Sequence, residues 1–236
     1  RTTPTRLPDP SYSEIEDDGY KYRTSKSLQS PRDISGKSST LSPSGRDFMI
    51  STPNYFENNA DFKLLHFFEG NSKNFYFFSI DELEKGIQNC RKIALNIQLD
   101  IPIRHRSLTT PDGEIYITGG SRGGKEVPYT YLLNFSNCTL IPKAPMKFSR
   151  KSHGFCYLNG FLYAIGGFNT AVGALKSCEK YDIENDKWIA IESMEYASSS
   201  PAVCTFQDRY IFKFGGLLSE GKLVNQIEKY DTVTNK

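Results

Sequence analysis

The sequence predicts an all-β protein made of repeated antiparallel sheets, and three observations support this prediction. Short runs of β-branched and aromatic residues alternate with Gly, Pro and Asn, as is typical of strands separated by turns. No stretch sustains the apolar spacing of three or four residues that an amphipathic helix requires. One strand motif recurs at nearly regular intervals, which is the signature of a repeat architecture.

The recurring motif is a strand that ends in two glycines. Residues 114–120, 161–167 and 210–216 carry it, at intervals of 47 and 49 residues. Each copy has an aromatic residue three positions before the glycine pair, where we expect it to pack between sheets. The glycines permit positive φ and close backbone approach at the strand end. The motif residues are Tyr116, Gly119 and Gly120, then Tyr163, Gly166 and Gly167, then Phe212, Gly215 and Gly216.

A second motif, a Tyr-Asp pair, recurs in phase with the first. Tyr181 and Asp182 are followed 49 residues later by Tyr230 and Asp231, and residues 130–135 occupy the corresponding place in the preceding unit. Trp188 comes six residues after Asp182, and we expect its indole to lie in the same layer between sheets. Two markers with one period predict one structural unit of about 50 residues.

The order glycine pair, Tyr-Asp, Trp, Met and Arg resembles the kelch repeat over residues 56–236. The resemblance implies a β-propeller of four-stranded blades. It is less complete in the first full unit, where Thr139 replaces the Trp, and the family's Arg corresponds to Arg104 and Arg150, with Ser199 near that place in the last unit. The implied boundaries are a degenerate first blade at about 56–103 and repeats at about 104–150, 151–198 and 199–236, the last one partial. We therefore expect a longer polypeptide to supply further blades, since an open propeller leaves sheet edges unpaired.

Residues 1–55 form a polar tail with a different composition. Residues 1–46 contain ten Ser and five Pro without periodic apolar residues, so we expect this tail to be disordered or ordered by a partner. Thr3, Ser30 and Ser42 each precede a proline, the pattern that proline-directed kinases accept, although such pairs are also common in any disordered tail.

Charge and composition argue against several classes of protein. The 29 basic and 27 acidic residues leave a net charge of +2, which predicts no nucleic-acid partner. The longest apolar runs are far shorter than the roughly 20 residues that span a bilayer, so we predict no membrane insertion. Five cysteines without a Cys-x-x-Cys pair indicate reduced thiols, and we expect a cytoplasmic protein.

The sequence offers no catalytic, cofactor or metal site. The segment 119–126 nearly matches a phosphate-binding P-loop, but Glu126 stands where Ser or Thr must bind magnesium, and Pro128 opposes the required helix. The three histidines lack a zinc-binding spacing, and we expect a structural polar role for His153. No Gly-x-Ser-x-Gly segment predicts a nucleophilic serine.

The kelch resemblance therefore implies binding to other proteins. The leading hypothesis is a non-catalytic intracellular scaffold in a larger assembly, such as a cytoskeletal or ciliary complex. The alternatives are a substrate adaptor of a cullin-type ubiquitin ligase and, third, a propeller enzyme. Six basic residues are predicted to contact partners or, equally, to bind carbonyl and carboxylate groups of neighbouring blades: Arg104, Arg106, Arg122, Lys125, Arg150 and Lys151.

Overall fold

A computed structural model describes residues 64–86, 89–219 and 221–236 in full and the backbone of two strands near the N-terminus. These strands, Tyr12–Asp17 (β1) and Tyr20–Ser25 (β2), pair antiparallel in a tail for which the sequence predicts disorder. Their register places Glu14 opposite Arg23. Thr3, Ser30 and Ser42 lie outside the described residues.

The remaining unit contains four antiparallel sheets in chain order. Sheet 1 consists of β3 (Leu64–Phe68), β4 (Asn74–Ser79) and β5 (Arg91–Ala94), with helix α1 (Ile80–Glu84) after β4. Sheet 2 consists of β6 (Arg106–Thr109), β7 (Ile115–Thr118), β10 (Thr130–Asn134) and β11 (Thr139–Lys143). Sheet 3 consists of β12 (Gly154–Leu158), β13 (Phe161–Ile165), β16 (Cys178–Asp182) and β17 (Lys187–Ile191). Sheet 4 consists of β18 (Ala202–Phe206), β19 (Tyr210–Phe214) and β20 (Ile227–Asp231).

The predicted four-stranded unit is confirmed in sheets 2 and 3, whereas sheets 1 and 4 have three strands within the described residues. Two short hairpins interrupt the connections after the glycine pairs. They are β8 (Ser121–Arg122) with β9 (Lys125–Glu126), and β14 (Phe168–Asn169) with β15 (Gly173–Ala174). The P-loop-like segment is thus a glycine-turned hairpin, with Gly123 and Gly124 at positive φ.

The sheets pack face to face in series, and their first strands, β3, β6, β12 and β18, contact one another in turn. We call the face of each sheet that meets the next sheet its front and the opposite face its back. Tyr116 on the front of sheet 2 packs on Tyr181 on the back of sheet 3, with ring centroids 6.1 Å apart. Tyr163 and Tyr230 repeat this contact between sheets 3 and 4 at 6.3 Å. Tyr116 and Tyr163 thus lie between sheets as predicted, whereas Phe212, the third predicted residue, lies on the face of sheet 4 that meets no other described sheet.

The glycine pair is required by a backbone contact between neighbouring sheets. The N–H of Gly120 donates to the carbonyl of Arg150 at 2.9 Å, and the N–H of Gly167 donates to the carbonyl of Ser198 at 2.8 Å. The first glycine of each pair has positive φ, and a Cβ on Gly166 would lie 2.5 Å from the Ser198 carbonyl oxygen. Only glycine therefore allows the next loop to approach, which confirms the predicted role of the pair.

The Tyr-Asp motif closes a turn and joins it to the preceding sheet. Asp182 accepts from the backbone N–H of Asn185 at 3.1 Å, as expected for a turn-forming carboxylate. The hydroxyl of Tyr181 donates to Asp186 at 2.6 Å, and Asp186 also accepts from the backbone N–H of Ala144 beside sheet 2 at 2.7 Å. The hydrogen bond from Tyr181 lowers the pKa of Asp186.

Strand register corrects two equivalences predicted from sequence spacing. Leu140 lies opposite Leu133 as Trp188 lies opposite Tyr181, so Leu140, not Thr139, occupies the tryptophan position in sheet 2. The bridges Ile103–Ser121, Lys151–Phe168 and Ser199–Leu217 align the loops before sheets 2, 3 and 4. The residues one position earlier, Pro102, Arg150 and Ser198, are therefore equivalent. Arg104 is instead the counterpart of Ser152 and Ser200, which share its positive φ.

Replacing Trp188 with alanine is expected to lower the free energy of unfolding by about 3 kcal/mol. The indole packs on Tyr181 with centroids 5.3 Å apart, and its N–H donates to the Thr130 hydroxyl of sheet 2 at 3.0 Å. Urea denaturation followed by circular dichroism measures the loss. Trp188→Phe is the control, because it keeps the ring and removes the hydrogen bond, at a cost of about 1 kcal/mol. Equal stability of the alanine variant and the wild type would contradict this inter-sheet contact.

Gly166→Ala tests the glycine contact against a matched control at Gly160. Both glycines have positive φ, but a Cβ on Gly160 would meet no atom within 4 Å. Gly160→Ala should cost about 1 kcal/mol from backbone strain alone, and Gly166→Ala about 2 kcal/mol more from the displaced loop. Thermal unfolding of the two variants gives the comparison, and equal costs would show that close approach does not explain the glycine.

Candidate protein-interaction surface

The connections between strands separate into long loops at one edge of the sheets and short turns at the other. Loops 119–129, 144–153, 166–177, 192–201 and 215–226 lie at the edge where the glycine pairs end their strands, which we call the long-loop edge. The opposite edge carries turns such as 159–160 and 183–186, and we call it the short-loop edge. Such loops on a rigid sheet scaffold are the usual location of binding residues.

Hydrogen bonds between neighbouring loops hold the long-loop edge together. Glu126 lies in the β8–β9 hairpin, which follows strand β7 of sheet 2. Its carboxylate accepts hydrogen bonds from the backbone N–H and the hydroxyl of Thr170, at 3.0 and 2.8 Å. Lys151 forms an ion pair with Glu126 at 3.1 Å. The backbone N–H of Ala174 donates to the hydroxyl of Ser219 at 2.7 Å, which joins the loops of sheets 3 and 4. The loops therefore present a preorganised surface.

Two of the predicted partner-contact residues are used inside the protein. The Arg150 side chain is 0% exposed, and its guanidinium donates to Glu179 and to the carbonyls of Gly166 and Ser177, each at 2.7 Å. Arg106 donates through Nε to the carbonyl of His153 at 2.8 Å. For these two arginines the structure agrees with the alternative prediction, contact with neighbouring blades, and Arg150 is too buried to reach a partner.

The other four predicted residues lie on or near the long-loop edge. Lys125 is exposed at the tip of the β8–β9 hairpin. Arg122 is half-buried, donates to the Asp100 carbonyl at 2.7 Å and lies 5.9 Å from the ring centroid of Tyr129. Lys151 lies over Phe168 at 5.3 Å and pairs with Glu126, and Arg104 is half-buried with positive φ. The structure thus brings Arg122, Lys125 and Lys151 to one edge.

Sequence inspection missed the exposed apolar residues and further lysines of this edge. Phe148 is 44% exposed, and Lys147 and Lys176 are exposed in the same set of loops. Tyr129 and Tyr196 are also exposed there. The short-loop edge has the opposite charge, with Asp112, Glu114, Glu184, Asp186 and Asp208. Spacing relative to the glycine pairs could have located these residues, but their exposure depends on packing of the loops.

A carboxylate anchors the loop that precedes each of the last two sheets, and it is fully buried in Glu179 and partly buried in Glu228. Glu179 accepts from the backbone N–H groups of Lys147 and Phe148, at 2.7 and 3.1 Å, and pairs with Arg150. Glu228 accepts from the backbone N–H of Glu195 at 2.6 Å and pairs with Lys213 at 3.1 Å. Since Ser198 replaces the arginine before sheet 4, the cation comes from a strand, and Lys213 is only 3% exposed. A buried carboxylate needs such a partner.

The three histidines lie in or just before first strands, where His153 is fully buried and His66 and His105 are half-buried. The pKa of His66 is lowered to about 4, first by burial and second by the positive charge that His105 would carry. Burial also lowers the pKa of His105. His153 is fully buried, neither ring nitrogen has a hydrogen-bond partner among the described residues, and burial holds its pKa well below the usual range. The predicted polar role of His153 is therefore wrong, because its ring packs edge-on against Phe155, 5.8 Å away.

In the part of the chain that the structure describes, no three His, Cys, Asp or Glu side chains form a group that could hold a metal ion. The same part contains no helix long and apolar enough to cross a membrane.

Burial raises the pKa of the Cys156 thiol to about 12, so this cysteine remains a protonated core residue.

Antiparallel sheets stacked through their faces, with first strands adjacent and loops at two edges, define blades of the β-propeller class. Residues 149–195, which contain sheet 3, match the family described as the Kelch motif. Kelch-like protein 25 of Xenopus tropicalis is 26% identical over 168 residues, covering 67% of this chain and 28% of the relative. Residues 149–195 therefore match a kelch repeat, and the chain is similar to kelch-repeat proteins.

Two further relatives extend the comparison. Kelch repeat and BTB domain-containing protein 2 of ectromelia virus (strain Moscow) is 28% identical over 141 residues, covering 52% of this chain and 25% of the relative. Kelch-like protein 35 of Mus musculus is 30% identical over 118 residues, covering 50% of this chain and 20% of the relative. The chain thus spans about a quarter of the length of the curated relatives that it matches.

Acid is expected to destabilise the protein before its carboxylates titrate. A histidine kept neutral by burial binds fewer protons than in the unfolded chain, where its pKa is about 6.5, so the free energy of unfolding falls as the pH drops below 6.5. For His66, whose pKa is about 4, the full loss is about 3 kcal/mol. Urea denaturation at pH 7.0, 5.5 and 4.5 measures it.

The control for this effect is His66→Gln, which keeps a polar side chain beside Ser107 and Thr109, the hydrogen-bond partners of His66. This variant should lose less stability than the wild type between pH 7.0 and 4.5. An identical pH dependence in the two proteins would mean that His66 is not held neutral.

Proposed function

We propose that this chain is a non-catalytic protein-interaction module and that the long-loop edge is its docking surface. The observation that carries the proposal is the combination of exposed cations and aromatic rings on loops that are hydrogen-bonded to one another. Lys125 and Lys147 supply charge, Phe148 and Tyr129 supply apolar area, and Glu126 and Thr170 fix the loops. Aromatic and basic residues on a rigid surface are typical of protein interfaces.

The difference in charge between the two edges supports a defined orientation for the partner. Exposed lysines predominate on the long-loop edge, whereas carboxylates predominate on the short-loop edge. An acidic partner surface would be attracted to the first edge and repelled by the second, which raises the association rate and excludes the reversed orientation.

The module belongs, in this proposal, to a cytoplasmic scaffold within a larger assembly such as a cytoskeletal or ciliary complex. Phosphorylation at Thr3, Ser30 or Ser42 would add about −1.5 to −2 charge at each site.

The second candidate function is a substrate adaptor of a cullin-type ubiquitin ligase. The observation that favours it is the relative whose name includes a BTB domain. A BTB-type dimerisation domain on the same polypeptide would connect the docking surface to a ligase. The long-loop edge would then bind the substrate, and its chemistry would be unchanged.

Affinity purification of the full-length protein from its native cells, with crosslinking mass spectrometry, tests both candidates. Crosslinks from Lys125, Lys147 or Lys176 to a cytoskeletal or other large assembly would support the scaffold, and recovery of a cullin would support the adaptor. Recovery of the protein alone would contradict both.

Charge reversal tests whether the long-loop edge is the surface that binds the partner. The triple variant Lys125→Glu, Lys147→Glu, Lys176→Glu is expected to reduce partner recovery at least tenfold. The matched control Lys187→Glu changes an exposed lysine beside the short turn 183–186 and should recover partners as the wild type does. Equal recovery with the triple variant would place the interface elsewhere.

A further inference from the structure

The β8–β9 hairpin places two cations directly opposite each other on the long-loop edge. Strand register pairs Arg122 with Lys125, so the two side chains leave the same face of the hairpin. Like charges at directly opposite positions destabilise a strand pair. No carboxylate among the described residues forms an ion pair with either side chain. An anion bound between the two cations would remove their repulsion.

Arg122 is the more enclosed of the two cations. Its Nη2 donates to the Asp100 carbonyl at 2.7 Å, and its guanidinium lies 5.9 Å from the ring centroid of Tyr129. Its Nε is buried, whereas Nη1 is accessible and has no hydrogen-bond partner among the described residues. The guanidinium is therefore held in place and partly dehydrated, with one donor left for a ligand. Dehydration of a charge is costly unless an opposite charge is nearby.

The carboxylates closest in the chain do not neutralise this pair of cations. Asp100 has an exposed side chain and offers Arg122 only its backbone carbonyl. Glu126, in the same hairpin, is already paired with Lys151 at 3.1 Å. Three other arginines pair with a carboxylate at 2.7 Å or less: Arg91 with Glu82, Arg150 with Glu179, and Arg209 with Asp231.

The equivalent hairpin of sheet 3 shows that the fold does not require a cation at this position. Asn169, like Arg122, is the second residue after the glycine pair. Its Nδ2 donates to the Ser149 carbonyl at 3.0 Å, and its Oδ1 accepts from the backbone N–H of Ala171 at 3.0 Å. A neutral amide thus joins hairpin β14–β15 to the neighbouring loop, so the charge of Arg122 is available for another role.

We infer that Arg122 and Lys125 bind a phosphate group carried by a side chain of the partner protein. The inference rests on the proposed role of the long-loop edge and names the group that docks there. A phosphorylated side chain carries about −1.5 to −2 charge, which matches two cations, whereas a carboxylate would neutralise only one. Arginine binds phosphate through charge-assisted hydrogen bonds. Tyr129, which is 43% exposed, offers apolar surface to the residue beside the phosphate.

Binding of the full-length protein to three immobilised peptide libraries tests the inference. The libraries share degenerate flanking positions and differ only in a fixed central residue, which is phosphoserine, serine or glutamate. The phosphoserine library should retain about tenfold more protein than the serine library. It should also retain more than the glutamate library, because glutamate carries a single charge.

Three variants locate the site by their effect on the ratio of phosphoserine to serine binding. Arg122→Asn introduces the residue found at the counterpart Asn169 and should bring the ratio to about one. Lys125→Gln changes an exposed side chain, so it cannot unfold the protein, and should lower the ratio about threefold. Lys147→Gln is the control, because it removes a cation of the same edge outside the hairpin and should leave the ratio unchanged.

Several results would overturn the inference. Equal binding to the phosphoserine and serine libraries would exclude a phosphate site, and equal binding to phosphoserine and glutamate would assign the site to a carboxylate. A ratio unchanged by both hairpin variants would place phosphate elsewhere.

Phosphatase treatment of the cell lysate before affinity purification separates this inference from the proposed function. Loss of the partner after treatment is expected. Equal recovery with and without treatment would overturn the phosphate site and leave the docking role of the long-loop edge intact. Recovery of no partner in either sample would contradict the docking role itself.

Discussion

The structure depends on the hydrogen bonds that Gly120 and Gly167, the second glycines of two pairs, donate to a loop carbonyl at the start of the next sheet. Each bond is the point at which one repeat fixes the position of the following repeat. It requires a backbone without Cβ at the strand end, because the carbonyls of Arg150 and Ser198 occupy the space that a side chain would take. The same loops carry the residues of the candidate interface, so the glycines position the interaction surface as well as the sheets.

The anchoring of those loops shows how one electrostatic requirement is met by two different sequences. A glutamate accepts backbone N–H groups in both sheet 3 and sheet 4, fully buried in the first and partly buried in the second, and each glutamate pairs with a cation. Arg150 provides the cation from the loop itself, whereas Lys213 provides it from the central strand of sheet 4. A repeat alignment based on residue identity therefore underestimates the similarity of the two units. The cation that pairs with the glutamate comes from a different sequence position in each unit, but the ion pair is present in both.

Exposed surface in this molecule is of two kinds with different physical characters. The long-loop edge is charged, aromatic and held by polar contacts, as suits a surface that binds and releases other proteins. The outer faces of the first and last described sheets carry exposed apolar side chains such as Phe67 and Ile227, and they have the residue pattern of the faces that are buried between the other sheets.

The sequence determined the class of fold, the period of the repeat and the role of the glycine pairs, because φ preference and close approach are local properties of Gly166, Gly167 and their counterparts. It also identified a basic surface through Lys125. Tertiary structure alone decided that Arg150 is buried, that Leu140 takes the tryptophan position and that Phe148 is exposed. These outcomes depend on strand register and on the approach of a neighbouring sheet, and side-chain identity at one position specifies neither.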